Sequence, residues 1–285
     1  MIDVILISIA LLILLIGTFT DFKTREVPDW INYSGIAAGI GIRLIYSSIT
    51  FDWSYIIAGI LGFVVFLGIA LLMFYLGQWG GGDSKMLMGL GAIIGLEWRP
   101  DGLLISFFVN MLFIGAFYGI LWSIYLAVRN KKKFMKYANK IVQTEEYKKA
   151  KKILFASVFV LVVVSFFTDF YASVAMITAA FVLVFVFFSF VFLKSVEKTS
   201  MFNMLPVEKL TEGDWIVKDV VVDKKRICGP KDLGISKEQI EKLIRLKKKG
   251  KIRKVLIKEG MPFVPAFLTA FIVSLIWGNL VLLFI

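Results

Sequence analysis

Residues 55–85 read YIIAGILGFVVFLGIALLMFYLGQWGGGDSK. The uncharged run 55–78 exceeds the ~20 residues that carry a helix across ~30 Å of hydrocarbon. A glycine turn, Gly80-Gly81-Gly82, follows it, then a carboxylate, Asp83, and then a second apolar run. Similar uncharged stretches occupy 103–128, 170–193 and 260–285. Across the chain 59% of residues are hydrophobic, 27 are Phe, and the mean hydropathy is +0.82, which a water-soluble core of this length does not need. These features predict an all-α polytopic membrane protein.

Charge supports the same reading. Of 33 Lys and Arg, 2 fall in 21–30, 10 in 129–152 and 18 in 194–258. Basic residues gathered into alternate loops follow the positive-inside rule, and beside an anionic leaflet they explain the net charge of +12 without nucleic acid. Helix candidates run at about 4–20, 31–50, 55–78, 85–98, 103–128, 153–168, 170–193 and 261–284. Threading about eight spans alternately puts every basic cluster in the cytoplasm and the N-terminus outside. Met1-Ile2-Asp3 lacks the positive start of a secretory leader, so 4–20 is expected to remain as the first span. The candidate at 85–98 is short. Crossing is still favoured, because a re-entrant segment would put 129–152 opposite 21–30.

The expected organisation is a membrane catalytic core over 1–128, a basic cytoplasmic loop over 129–152 and an extra transmembrane pair over 153–193. A small cytoplasmic α+β module over 194–260 and a last transmembrane helix over 261–285 complete it. In the module, Trp215, Val217, Val220 and Val222 alternate as a short strand pair, and Ile252, Val255 and Ile257 as another strand. Ser236 and Gln239 fit a capping box that opens a basic helix ending near Lys249, with Gly250 as its stop. The pairs Gly35/Gly39, Gly91/Gly95 and Gly115/Gly119 favour close packing of the second, fourth and fifth helices.

The single cysteine, Cys228, excludes an internal disulfide and paired-cysteine zinc. The chain has no histidine, so Ser–His and Cys–His nucleophiles are excluded, as is His-ligated metal. Carboxylates, a Ser/Lys pair or transport without chemistry remain. Ionisable groups at membrane depth cost ~2.5–3.5 kcal/mol at a helix centre and suggest function. Asp21 ends the first apolar run and Asp83 opens the fourth helix, and the threading puts both on one membrane face. Asp83 also reads as a helix cap, and Asp21 as a boundary residue. Glycines 80–82 permit positive φ and close approach of an extended peptide, or simply a tight turn. Two aspartates sharing one proton can activate water and polarise a carbonyl without metal or cofactor. Ser84 and Lys85 are adjacent on a helix and do not face each other, so Lys85 reads first as a snorkelling anchor and second as a substrate-orienting group.

These residues carry a resemblance. The stretch 80–85, GGGDSK, resembles the GxGD pattern of intramembrane aspartyl proteases, and 21–29, DFKTREVPD, resembles the first-aspartate motif of type IV prepilin peptidases. The tail 259–267, EGMPFVPAF, is similar to the archaeal branch acting on pilins and preflagellins. The resemblance implies that Asp21 and Asp83 are the catalytic pair. The implied substrate is a prepilin or preflagellin with a short basic leader before a hydrophobic helix, cut at the cytoplasmic face of the cell membrane. Gly80, Gly81, Gly82 and Lys85 become candidate substrate contacts. Glu26 and Asp29 are either attractors for the basic leader or solvated loop charges. Bacterial relatives often carry a four-cysteine zinc motif and methylate the new N-terminus; with one cysteine, peptidase activity without methyl transfer is expected, and no cofactor. Rival readings are a proton- or cation-coupled transporter with the two Asp as a relay, a related protease with a non-pilin substrate, and a non-catalytic scaffold.

Overall fold

The computed structural model describes residues 2–283, so the ends of the segments expected at 1–128 and 261–285 lie partly outside the described residues. The helices are α1 (Ile2–Thr24), α2 (Asp29–Thr50), α3 (Ser54–Tyr75), α4 (Gly81–Ile94), α5 (Leu103–Arg129), α6 (Lys131–Val142), α7 (Glu145–Ser165), α8 (Phe170–Val196), α9 (Lys237–Lys248) and α10 (Val264–Trp277). The strands are β1 (Phe202–Pro206), β2 (Trp215–Ile216), β3 (Val220–Val222), β4 (Lys225–Cys228) and β5 (Lys254–Lys258). Among the described residues, four helical segments are long and apolar enough to cross a membrane: α1, α3, α5 and Phe170–Met201. The chain is a mostly helical membrane protein with a small sheet region. Two compact units are present, one formed by 1–121, 206–255 and 260–285, the other by 122–205 and 256–259.

In the first unit α4 is the axis of the bundle, with Met86, Leu87, Leu90 and Ile93 buried. Glycine lets its neighbours come close. A Cβ on Gly39 would stand 2.7 Å from the Ala92 carbonyl carbon, and one on Gly62 would fall on the Gly91 carbonyl. The close partners of α4 are therefore α2 and α3. The expected third member, α5, behaves differently, because Gly115 faces the Phe263 ring and not a helix backbone. A layer of buried rings joins α5 to the rest, with Phe107 6.0 Å from Phe66, 6.3 Å from Phe267 and 6.0 Å from Phe271.

The fourth helix begins and ends earlier than the expected 85–98. Gly80 is its N-cap and Gly95, at φ +73°, its stop. Fourteen residues span only about 21 Å, so its last carbonyls end inside the bundle. Arg43, buried on α2, closes that end: its guanidinium donates to the carbonyls of Ile93 (2.9 Å) and Ile94 (2.6 Å). α10 is shorter than expected too. Gly278, at φ +67°, ends it, and buried Asn110 of α5 donates to Ser274 Oγ and to the Gly278 carbonyl.

The polar part of this unit differs in pairing from the sequence reading. β2 and β3 do not pair with each other; β2 lies beside β5, and β3 is antiparallel to β4. The β3–β4 hairpin turns through Asp223 and Lys224, both at positive φ, which matches the right-handed twist of the two strands. The capping box at Ser236 and Gln239 is present, and Gly250 follows α9 at φ +71°. Cys228 is fully buried, and burial, helped by the Asp232 charge, pushes its thiol up to about 11.

In the second unit α7 starts at Glu145 and not near 153, because Thr144 caps it by accepting the Tyr147 N–H. Asp169 caps α8 in the same way, accepting from Tyr171 and Ala172. α6 packs on α8 through Phe134 and Phe192, whose ring centres are 5.5 Å apart. Elsewhere α8 turns Phe181, Phe185 and Phe190 outward, an apolar exterior suited to lipid.

Candidate active site

Asp21 lies on the last turn of α1 and is 4% exposed. A buried carboxylate needs partners, and its Oδ2 accepts the Val264 N–H at 3.0 Å, with the Phe263 backbone as a second donor. Val264 is the first residue of α10, where backbone N–H groups have no partner within the helix. Pro265 follows, in the first turn where a missing N–H costs nothing. Asp21 therefore joins α1 to the head of α10. Arg25, one turn on, lies within electrostatic reach, and Tyr118 of α5, its hydroxyl buried, lies within reach from another side.

Asp83 is the third residue of α4 and half-buried. Its carboxylate folds back to accept from the Gly80 backbone, so part of the capping role is real. It also lies within electrostatic reach of Asp21. Two close approaches bring α4 against α1 and the loop that follows it. Gly82 sits against Val27, where a Cβ would be 3.3 Å from the backbone nitrogen, and Gly17, one turn before Asp21, sits against Met86 and Val264.

The glycines act differently from the sequence reading. None of Gly80, Gly81 and Gly82 takes positive φ. Gly80 is extended, and Gly81 and Gly82 are already in the first helical turn, so the triplet is a helix start and not an open loop. Positive φ appears instead at Gly77, +68°. There α3 ends in a Schellman motif: the Gly77 N–H bonds the Phe74 carbonyl and the Gln78 N–H bonds the Met73 carbonyl, both at 2.9 Å.

Lys85 pairs with Asp29 at 2.6 Å and lies 5.4 Å from the centre of the Tyr33 ring. The two candidate substrate contacts are thus partners of each other, and Glu26 is exposed on the α1–α2 loop. Beside the carboxylates, a cleft of about 460 Å³ is lined by Met73, Leu76, Trp79, Met111, Gly115 and Phe263. Trp79 stands 6.0 Å from Phe263 and 5.6 Å from Phe267, linking the approach to α4 with the head of α10. Sequence reasoning missed Phe263 and Val264 as partners of Asp21. The signal was available in Pro262 and Pro265, which mark a helix start, but a backbone donor leaves no side-chain signature. Tyr118 had a signal as well, a polar tip in the uncharged run 103–128.

Known proteins match part of this chain. The family model for type IV leader peptidases matches residues 8–126, which contain both aspartates. A preflagellin peptidase of Methanocaldococcus jannaschii is 37% identical over 104 residues, 36% of this chain and 44% of that one. Preflagellin peptidases of Methanococcus maripaludis and Methanococcus voltae are 44% identical over 82 residues and 40% over 87. Those two matches cover 28% and 30% of this chain, and 35% and 37% of the relatives. The matched part spans less than half the length of these curated relatives. Over residues 8–126, with Asp21 on α1 and Asp83 on α4, the chain is similar to the type IV leader peptidase family.

Proposed function

We propose that the protein is a membrane aspartyl endopeptidase that removes a short basic leader from preflagellin-like or pilin-like precursors. The observation that carries this reading is the approach of Asp21 and Asp83 at one end of the α1–α4 pair, within a segment similar to the leader peptidase family. The two carboxylates hold one proton between them. The ionised member takes a proton from water as the water oxygen attacks the scissile carbonyl carbon. The protonated member donates to the carbonyl oxygen. On collapse, the C–N bond breaks and the proton taken from water passes to the leaving amine. No step calls on a metal, a cofactor or a methyl donor.

The chain threads the membrane about eight times, with its N-terminus outside and both aspartates at the cytoplasmic face. The core is 1–128, and the pair at 153–193 lies outside it. The basic leader stays in the cytoplasm near Glu26, while the apolar helix of the precursor lies along the cleft at Met73, Met111 and Phe263. Asp29, bound to Lys85, orders the mouth of the site and does not offer a free charge.

The test mixes detergent-purified protein with a candidate precursor and weighs the released leader. Asp21→Asn and Asp83→Asn should each lower the cleavage rate by at least ~10³-fold, because groups that act as a unit fail together. Chelator should leave the rate unchanged. Processing that survives either substitution would show that the carboxylates are structural.

A further inference from the structure

The polar module has no evident part in this chemistry, yet one of its side chains reaches the approach to Asp83. β2 is only two residues long, and successive strand residues face opposite sides. Ile216 turns inward and is 4% exposed, so Trp215 points the other way. The chain leading to Trp215 is held by backbone bonds, Gly213 N–H to the Ile235 carbonyl (2.9 Å) and Ile235 N–H to the Asp214 carbonyl (3.0 Å). The Asp214 carboxylate also accepts the Thr211 N–H at 2.8 Å.

The indole edge of Trp215 lies against Gly77. A Cβ added there would stand 2.8 Å from Cη2 and 3.0 Å from Cζ3. Gly77 is thus required twice, once for its positive φ in the Schellman turn and once for the ring that covers it. Three residues on is Gly80, the N-cap of α4, and six on is Asp83. Between Gly77 and Gly80, Trp79 is held by Phe263 and Phe267. The start of the segment, Gly77 to Trp79, is thus held from two sides, by the head of α10 and by the module.

We propose that Trp215 is a positioning residue, locking the Gly77 joint and so fixing where α4 presents Asp83. The proposal rests on Asp83 being one of the reacting carboxylates. The module then braces the site from the polar side and adds no group to the chemistry. A tryptophan at this level that merely anchored in the headgroup region would do none of this.

The test compares the intact wild type, Trp215→Ala and Trp215→Phe in nanodiscs. One arm follows hydrogen exchange at amides 77–82, and the other follows kcat, KM and the pH–rate profile on a precursor with a basic leader. Trp215→Ala should speed exchange at 77–82 about tenfold, with α1 and α5 unaffected, since the opening is local. It should lower kcat about tenfold with KM within about twofold. A changed separation of two coupled carboxylates should also move a limb of the pH–rate profile. Trp215→Phe should restore most of both. Unchanged exchange at 77–82 would overturn the proposal, and so would faster exchange with kcat and pH profile intact. If the wild type cleaves no precursor, the proteolytic reading falls, while exchange at 77–82 still decides whether Trp215 locks the joint.

Discussion

At the residue scale, glycine and aspartate do the positioning together. Asp21 is buried because Gly17 lets α1 settle onto Met86 and Val264, and its carboxylate then meets the free N–H at the head of α10. Gly39 plays the corresponding part between α2 and α4, where the neighbours of its missing Cβ are backbone atoms of Ala92 and Ile93 with no room to yield. Alanine is the better helix former by ~1 kcal/mol, so on propensity alone Gly39→Ala would stabilise α2. Packing predicts the opposite sign. Gly39→Ala should destabilise the protein by ~1–3 kcal/mol net, seen as a lower melting midpoint in detergent. A higher midpoint would mean that α2 and α4 are not in backbone contact there. Asp21 and Asp83 stand out in the sequence as candidates because carboxylates next to apolar runs are conspicuous. The donor that holds Asp21 was not, since any residue at position 264 but proline supplies the same N–H.

At the scale of the element, α4 carries most of the design. It holds Asp83 at its start, is packed by α2 and α3, and stops after about 21 Å. The sequence made its shortness plain but misplaced it by four residues. Lys85 looked like a boundary, whereas the structure starts the helix inside the glycine triplet and lets Lys85 pair with Asp29. A helix ending inside a bundle leaves carbonyls without partners, and Arg43 answers them with two hydrogen bonds while a third reaches the Tyr55 carbonyl at 3.1 Å. Arg43→Leu fills similar space without donors. It should lower stability by about 3 kcal/mol, in line with charged hydrogen bonds to buried carbonyls, and cut cleavage through displacement of α4. A thermal melt paired with the leader-release assay checks both. Undiminished stability would mean that water replaces the guanidinium and that the carbonyl end is open. In the module, α9 and β5 were legible from a cap and an alternation, while β4 was not. Its residues, Lys225 to Cys228, alternate poorly, and its place comes from the turn at Asp223 and Lys224.

At the scale of the whole molecule, the proposed orientation rests on charge, and access of a basic leader to the site depends on it. In the proposed threading, exposed Glu26 and Glu212 fall with the cytoplasmic loops, and exposed Asp52 and Asp169 with the outer ones. The single native thiol makes the test clean. Cys228 is fully buried, and its thiol, pushed up to about 11 by burial, stays protonated at neutral pH and contributes little labelling of its own. Cysteines placed one at a time at 26, 52, 169 and 212 can then be challenged with an impermeant maleimide on intact cells and on inverted vesicles. Positions 26 and 212 should react only in inverted vesicles, and 52 and 169 only on intact cells. Reaction of position 26 on intact cells would turn the Asp21 end of α1 outward. A precursor whose leader is held inside by its positive charge could not then reach the carboxylates. Reaction of 52 and 169 from opposite sides would instead leave the core orientation standing and change the number of crossings between α3 and α8, because an odd number of spans must then separate the two loops.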